Sequence, residues 1–162
     1  MAEQTGEIFI RKLVEDDLAK VIYIESLVHG KENKPAWPFS FESYWEIYRP
    51  NLNLVAELDG QVIGFIVGKI LKNKNLNSII KRIHSGELDS KHEWFGWIDM
   101  ICTHPDYRQK GIARKLMQAF YEECIRRKAL VKTVLYRSDE RYQRLLMNMG
   151  FRESNPVIYE KI

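Results

Sequence analysis

Several things are scarce in this chain of 162 residues, and each scarcity removes a class of function. It has two cysteines, Cys102 and Cys124, too few for the disulfide framework of a small secreted domain. Each reads as a small buried hydrophobe rather than a nucleophile. The four histidines, His29, His84, His92 and His104, are scattered without metal-ligand spacing, so no metal is expected. Neither sign of charge dominates: 25 Lys and Arg stand against 22 Asp and Glu, a formal net charge of +3. That excess is too small to argue for nucleic-acid binding. The run Arg126-Arg127-Lys128 falls at the end of an expected helix, where it complements the dipole. Long apolar runs are missing as well. The longest, Val62-Ile-Gly-Phe-Ile-Val67, is far below a membrane span, so no membrane partner is expected. The opening residues, Met-Ala-Glu-Gln-Thr-Gly-Glu, lack the charged-then-apolar pattern of a secretion signal. What is left is a cytoplasmic enzyme or binding protein of one domain, residues 1–162, long enough to bury a real core.

Hydrophobic periodicity lays out the elements. Glu7–Arg11 alternates as a first strand. From Asp16 the period turns helical, with Leu18, Val21, Ile22 and Glu25 on one face and acids in the first turn. After a loop over Gly30–Pro38, Ser40 caps a short helix carrying Phe41, Tyr44, Trp45 and Tyr48 on one face. Those aromatics are expected to pack in the core rather than to stack on a ligand. Leu52–Leu58, the turn Asp59-Gly60 and Gln61–Ile70 form a hairpin, because both turn residues tolerate positive φ. Gly64 and Gly68 weaken its second strand unless another backbone or a ligand comes close. Lys72–His92, with Ile79, Ile80 and Ile83 suggesting a short helix, reads as a surface excursion.

Trp94–Thr103 is the central strand. Ile112–Lys128 is a helix with Ala113, Leu116, Met117, Phe120 and Cys124 on its apolar face, and Leu130–Tyr136 is a further strand. Ser138 or Asp139 caps a last helix with Tyr142, Leu145, Leu146 and Met149 at helical spacing, and Gly150 stops it. Val157–Lys161 closes the sheet. Early strands with helices packed on them describe an α+β, or mixed α/β, layer fold.

The most informative stretch is Asp99-Met-Ile-Cys-Thr-His-Pro-Asp-Tyr-Arg-Gln-Lys-Gly-Ile-Ala113, which reads as strand, tight loop and helix start. Crowded backbone N–H groups with a helix dipole behind them suit a phosphate anion. Gly111 and Ala113 let a ligand approach the main chain. A Walker loop is excluded because Gly111 is followed by Ile-Ala-Arg, and a dinucleotide fingerprint because only one glycine is present. From the residues alone, an anion-binding turn and a turn whose glycine merely relieves strain both stay open.

Thr103-His-Pro-Asp-Tyr-Arg-Gln-Lys-Gly-Ile-Ala113 resembles the acetyl-coenzyme A signature of the GNAT superfamily of N-acetyltransferases. That signature reads roughly apolar-x-Pro-x-x-Arg/Gln-x-x-Gly-x-Gly/Ala. Every defining position after the first matches, with Thr103 where an aliphatic residue is more usual. Ile8–Arg11 followed by Asp16-Asp17 is similar to the family's first strand and helix, and Gly150-Phe151 to its closing turn. The resemblance implies a mixed, mostly antiparallel central sheet with a splayed central strand, flanked by helices. It implies transfer of an acetyl group from acetyl-coenzyme A to a primary amine, by direct attack in a ternary complex. It implies a grip on the pyrophosphate by the main chain following Arg108, from Gln109 through Lys110, Gly111, Ile112 and Ala113 to Arg114, with Lys110 and Arg114 adding charge. The pantetheine arm would run along Ile101, Cys102 and Thr103, bonded like an added strand, with Asp139 within its reach. The acceptor stays open among a protein N-terminus, a lysine side chain, a polyamine and other small amines. Dimers are common among relatives, so a homodimer is open too.

The amine must lose a proton to attack, and Asp99 is the candidate base. It interrupts an apolar strand where many relatives carry an acid. Alternation puts it on the face of Ile101 and Thr103 unless a bulge intervenes. Apolar surroundings would raise its pKa; the other reading is an aspartate that fixes a neighbouring loop. Many relatives show Asn-x-x-Ala-x-x-x-Tyr in the last helix, the tyrosine protonating the leaving thiolate. Here those positions are Asp139, Tyr142 and Leu146. The usual acid is absent, and Tyr142, one turn earlier, either substitutes for it or packs in the core. The rival function is a non-catalytic acyl-coenzyme A sensor that kept the grip and lost the acid.

Overall fold

The computed structural model describes residues 6–29, 40–75, 91–135 and 139–154. Among them five strands form one sheet: β1 (Ile8–Lys12), β2 (Leu52–Leu58), β3 (Gln61–Lys72), β4 (Trp94–Thr103) and β5 (Ala129–Thr133), in the spatial order of their numbering. The first three pairings are antiparallel and β4–β5 is parallel. This is the expected mixed, mostly antiparallel sheet. The β2–β3 hairpin turns on Asp59 (φ 50°) and Gly60 (φ 77°), the double positive φ that a two-residue turn of this twist requires.

Four helices among the described residues cover the sheet. α1 (Leu18–Val28) and α2 (Phe41–Tyr48) lie on one face, where Val21, Ile24, Phe41 and Tyr44 pack against Val55, Phe65, Val67, Met100 and Cys102. On the other face α3 (Ile112–Arg126), the crossover between the parallel strands, buries Ile112, Leu116, Met117, Phe120 and Cys124 against Leu54, Ala56, Ile66 and Ile98. α4 (Glu140–Asn148) adds Leu146 to that second core. Ser40 caps α2 by accepting from the Ser43 amide at 3.2 Å. Asp139, not Ser138, caps α4, accepting from the Tyr142 amide at 3.1 Å. Gly68 has the close backbone neighbour its place in a strand requires. A Cβ there would lie 2.1 Å from the Trp97 carbonyl oxygen and 3.0 Å from the Phe120 ring. Asp17, the one buried charged residue among those described, takes two bonds from the Arg11 guanidinium at 2.6 and 2.9 Å, tying β1 to the start of α1.

The structure moves some boundaries. β5 stops at Thr133 rather than continuing to Tyr136, and Val134 beyond it is 70% exposed. Its pairing with β4 ends at Ile98, and the apolar Val134-Leu135 leaves the ladder although β4 runs on to Thr103. In α3 the buried first-turn residue is Ile112, with Ala113 only half-buried, and α1 buries Ile24 where Ile22 was expected. The loop over 30–38, the possible helix at Ile79–Ile83 and the closing strand at 157–161 lie outside the described residues. No helix among those described is long and apolar enough to cross a membrane.

Candidate active site

β4 is regular for its first half and irregular where the chemistry was expected. Val67 pairs with Met100 and Gly68 with Ile98, leaving Asp99 opposite nothing: a β-bulge. The extra residue turns the alternation over. Ile98 and Ile101 pack on the α3 side, whereas Met100 and Cys102 belong to the α1–α2 side. Asp99 joins the latter, not the face of Ile101 and Thr103, because its Oδ2 accepts from the Tyr44 hydroxyl at 2.8 Å. Burial raises the Asp99 carboxyl from 3.8 to about 6, although the Tyr44 bond and the nearby Lys69 charge both pull it down. Tyr44 is fully buried, and burial together with the Asp99 charge holds its phenol protonated. The hydrogen bond on the Asp99 side chain thus comes from α2, fifty-five residues earlier in the chain.

Beyond Ile98 the sheet forks. β4 and β5 pair from Trp94↔Ala129 to Ile98↔Thr133 and no further, while β4 stays on β3 through Gly64↔Thr103. Among the described residues, no strand covers the β5-side edge of residues 99–103. Backbone groups of Ile101, Cys102 and Thr103 along that edge can bond an extended ligand as a sheet bonds an added strand. At the fork the Thr133 hydroxyl donates to the Ile98 carbonyl at 3.1 Å and lies 3.1 Å from the Tyr142 hydroxyl. Burial pushes the Tyr142 phenol up to about 12.

The loop after β4 makes one 3-10 turn, Pro105–Tyr107, with its amide at Asp106 bonded to His104 Nδ1 at 3.3 Å. Two left-handed residues follow, Gln109 (φ 63°) and Gly111 (φ 73°), alternating with Lys110 and leading into α3. Such an alternation turns successive amides into one concavity. The first main-chain bond of α3 is Lys115 N–H to the Gly111 carbonyl. The amides of Ile112, Ala113 and Arg114 therefore point forward, and no side chain caps them. A Cβ on Gly111 would meet nothing within 4 Å, so the space in front is open.

The remaining candidates divide by what their side chains touch. The Ile112 side chain is buried, so only its main chain can face a ligand. The Arg114 guanidinium donates to the Asn148 carbonyl at 3.2 Å, holding the end of α4. Lys110 Nζ sits 5.4 Å above the Tyr107 ring, and Arg108 is exposed. Cys102 is buried, its thiol pushed well up by desolvation, and Sγ lies 3.6 Å from His29 Nε2. The same burial effect pushes the His29 imidazole below its usual value. Thr103 Oγ1 is buried without a hydrogen-bond partner among the described residues. Leu146, at the family's tyrosine position, is in the core. Three participants were missed in the sequence: Tyr44 as the Asp99 partner, Thr133 at the fork and His29 on Cys102. Tyr44 was visible only as one of four aromatics on a helix face; Thr133 and His29 carry no local signal. No group of three or more His, Cys, Asp or Glu among the described residues is placed to hold a metal ion.

Comparisons with known proteins bear on the fold and the family. No curated protein matches the sequence. Among solved structures, the chain is similar to the aminoglycoside N-acetyltransferase AAC(6')-Iy in complex with CoA, at 17% identity and TM-score 0.70, covering 100% of this chain and 99% of that one. The same enzyme with a bisubstrate analogue, CoA-S-monomethyl-acetylneamine, gives 18% identity and TM-score 0.67 over 97% and 99%. The ribosomal-protein-S18-alanine N-acetyltransferase from Escherichia coli gives 18% identity and TM-score 0.69 over 92% and 80%. At these identities the likeness is one of fold. The model of the Acetyltransferase (GNAT) family matches residues 18–151, and the chain belongs to that family.

Proposed function

We propose that the protein is an acetyl-coenzyme A-dependent N-acetyltransferase acting on a primary amine, with Asp99 as general base. The observation that carries this reading is the meeting of three features at the end of β4: an uncapped amide nest, an open strand edge and a carboxylate near pKa 6. The nest amides from Gln109 to Arg114 hold the diphosphate, aided by the α3 dipole. The open edge of Ile101, Cys102 and Thr103 aligns the pantetheine arm, and a main-chain donor there steadies charge growing on the carbonyl oxygen. Bound acetyl-coenzyme A supplies the thioester whose acetyl group is transferred.

Amines arrive largely protonated, with pKa about 10.4 for a lysine side chain and about 7.7–8.0 for an α-amine. Asp99, ionised above pH 6, takes that proton directly or through a water as the amine attacks. Tyr44 fixes the carboxylate in place and stays protonated throughout. Tyr142 lies at the fork and Asp139 caps its helix, so both stand beside the pantetheine path. The acceptor differs among proteins of this fold: an aminoglycoside for one of the enzymes above, a ribosomal-protein alanine for another.

Leu146 favours a second reading, an acyl-coenzyme A sensor without turnover, because its aliphatic side chain in the core offers no proton to a leaving thiolate. Calorimetric titration with acetyl-coenzyme A tests the binding that both readings share. Thiol release across a panel of α-amines, lysine peptides, polyamines and aminoglycosides then separates them. Release with at least one amine is expected, and binding without release from any would leave the sensor.

A further inference from the structure

Acetyl transfer as proposed above asks two things of β4 in the same place: an open edge after Ile98, and an Asp99 side chain turned towards Tyr44. Both begin at one peptide group. We propose that the hydroxyls of Thr133 and Tyr142 form a positioning clasp on the Ile98 carbonyl, which holds the fork open for acetyl-coenzyme A and sets the bulge that aims Asp99. The inference rests on the acetyltransferase reading of this site.

The argument starts from the ladder. In a parallel pair each inward carbonyl is satisfied by a main-chain amide of the neighbouring strand. At Ile98, the last β4 residue in register with β5, a side-chain donor from Thr133 is present at 3.1 Å. With that donor on the carbonyl, the β5 main chain can diverge without leaving a buried acceptor unpaired. A threonine hydroxyl has one proton. Once that proton goes to Ile98, Oγ1 can only accept, so the 3.1 Å contact to Tyr142 has the phenol as donor. Tyr142 stands in the first turn of α4, whose cap is Asp139. The clasp therefore fastens β4, β5 and α4 together at the point where the sheet opens. The Ile98 carbonyl and the Asp99 N–H share one planar peptide. Gripping the oxygen fixes the orientation of that plane, and with it the bulge that places Asp99 2.8 Å from Tyr44.

Thr133→Val keeps the shape and removes both bonds. It is expected to weaken acetyl-coenzyme A binding, measured by titration calorimetry, by about threefold to tenfold, the worth of a neutral hydrogen bond. With any amine that supports thiol release, kcat should fall as well, since the Asp99 peptide is no longer held. Tyr142→Phe leaves the Thr133–Ile98 bond and should weaken binding by roughly twofold to threefold. Thr133→Ser restores the hydroxyl and should return both readouts to near wild type, which a role in packing alone would not do. Should Thr133→Val fail to fold, Tyr142→Phe decides. Wild-type protein that binds acetyl-coenzyme A, with Thr133→Val and Tyr142→Phe binding it equally tightly, would overturn the clasp and leave the function standing. Wild-type protein that does not bind acetyl-coenzyme A overturns both.

Discussion

Replacing Asp99 by asparagine should make the protein more stable and less active, and the stability gain should depend on pH. Burial lifts the folded-state pKa from 3.8 to about 6. At about 1.36 kcal/mol for each tenfold change in acidity, that rise corresponds to about 3 kcal/mol. Below about pH 3.8 the carboxyl is protonated in both folded and unfolded chains and costs nothing extra. Between 3.8 and 6 the unfolded chain releases its proton while the folded chain keeps it, so stability falls as pH rises. Above 6 the full cost of an ionised, half-buried carboxylate remains. Asparagine has no charge to desolvate, and its amide oxygen can still accept from Tyr44. The Asp99→Asn variant should therefore match the wild type near pH 4 and exceed it by up to about 3 kcal/mol at pH 8. For a domain of this size that is roughly 6–12 °C in Tm. Thermal melts of both proteins across pH 4–8 measure it directly. The variant should bind acetyl-coenzyme A normally, and above pH 6, where the wild-type carboxylate is ionised, its turnover should be at least about a hundredfold lower, the usual worth of a general base. A stability gap that does not change with pH, or an asparagine variant weaker at pH 8, would show that no carboxyl titrates near 6 at this position.

Three further outcomes follow from the same geometry. Tyr44→Phe removes a bond that lowers the Asp99 pKa, so the acid limb of the kcat profile, near pH 6 in the wild type, should move to higher pH; an unmoved limb would detach Tyr44 from the reaction. Gly111→Glu should abolish acetyl-coenzyme A affinity in titration calorimetry, because it puts a carboxylate in the amide nest, while the fold survives, since a Cβ there meets nothing within 4 Å and the left-handed φ costs only about 1–2 kcal/mol. Gly68→Ala drives a Cβ into the Trp97 carbonyl beside the bulge and should lower stability in denaturant melts by about 1–3 kcal/mol, with loss of turnover in the folded fraction.

What the sequence disclosed, and what it withheld, separates by the range of the forces involved. The Asp59-Gly60 turn, the Ser40 and Asp139 caps and the full extent of β4 are set by residues within a few positions of one another, and all were legible. The tight turn into α3 at Gly111 was legible for the same reason: a glycine, a small residue and an amphipathic helix stand side by side. The direction of Asp99 was not. It depends on Gly68 letting β4 come close from thirty residues away, and on Tyr44, fifty-five residues away, offering a hydroxyl. Residue 44 looked like core because its ring is core; only its hydroxyl reaches Asp99. The length of β5 was misjudged because Val134 and Leu135 have strand-forming side chains, yet the pairing ends at Thr133 although β4 itself runs on to Thr103. Arg114 matched the motif, and one of its guanidinium nitrogens also ties the end of α4 through the Asn148 carbonyl, a contact with no local sequence signal.

The three features of the site are near one another for a topological reason. β4 and β5 run parallel, so the chain must leave the end of β4 and return along a crossover, which is α3. A crossover helix starts where its preceding strand stops, and its uncapped amides are thereby delivered to the same end of the sheet as the last residues of β4. If β5 then ends early, the strand edge beside those amides is bare, and a ligand with an anionic group and an extended amide-bearing arm meets both at once. The bulge supplies the third feature by inverting the strand's faces at the fork. Without it the alternation running back from Ile101 would put Asp99 on the α3 side of the sheet, away from Tyr44. With it, the carboxylate lies on the α1–α2 side while the main chain of residues 101–103 still borders the fork. In the proposed mechanism, one inserted residue thus divides the work of a single strand between holding the acyl donor along its edge and receiving the acceptor's proton on its face.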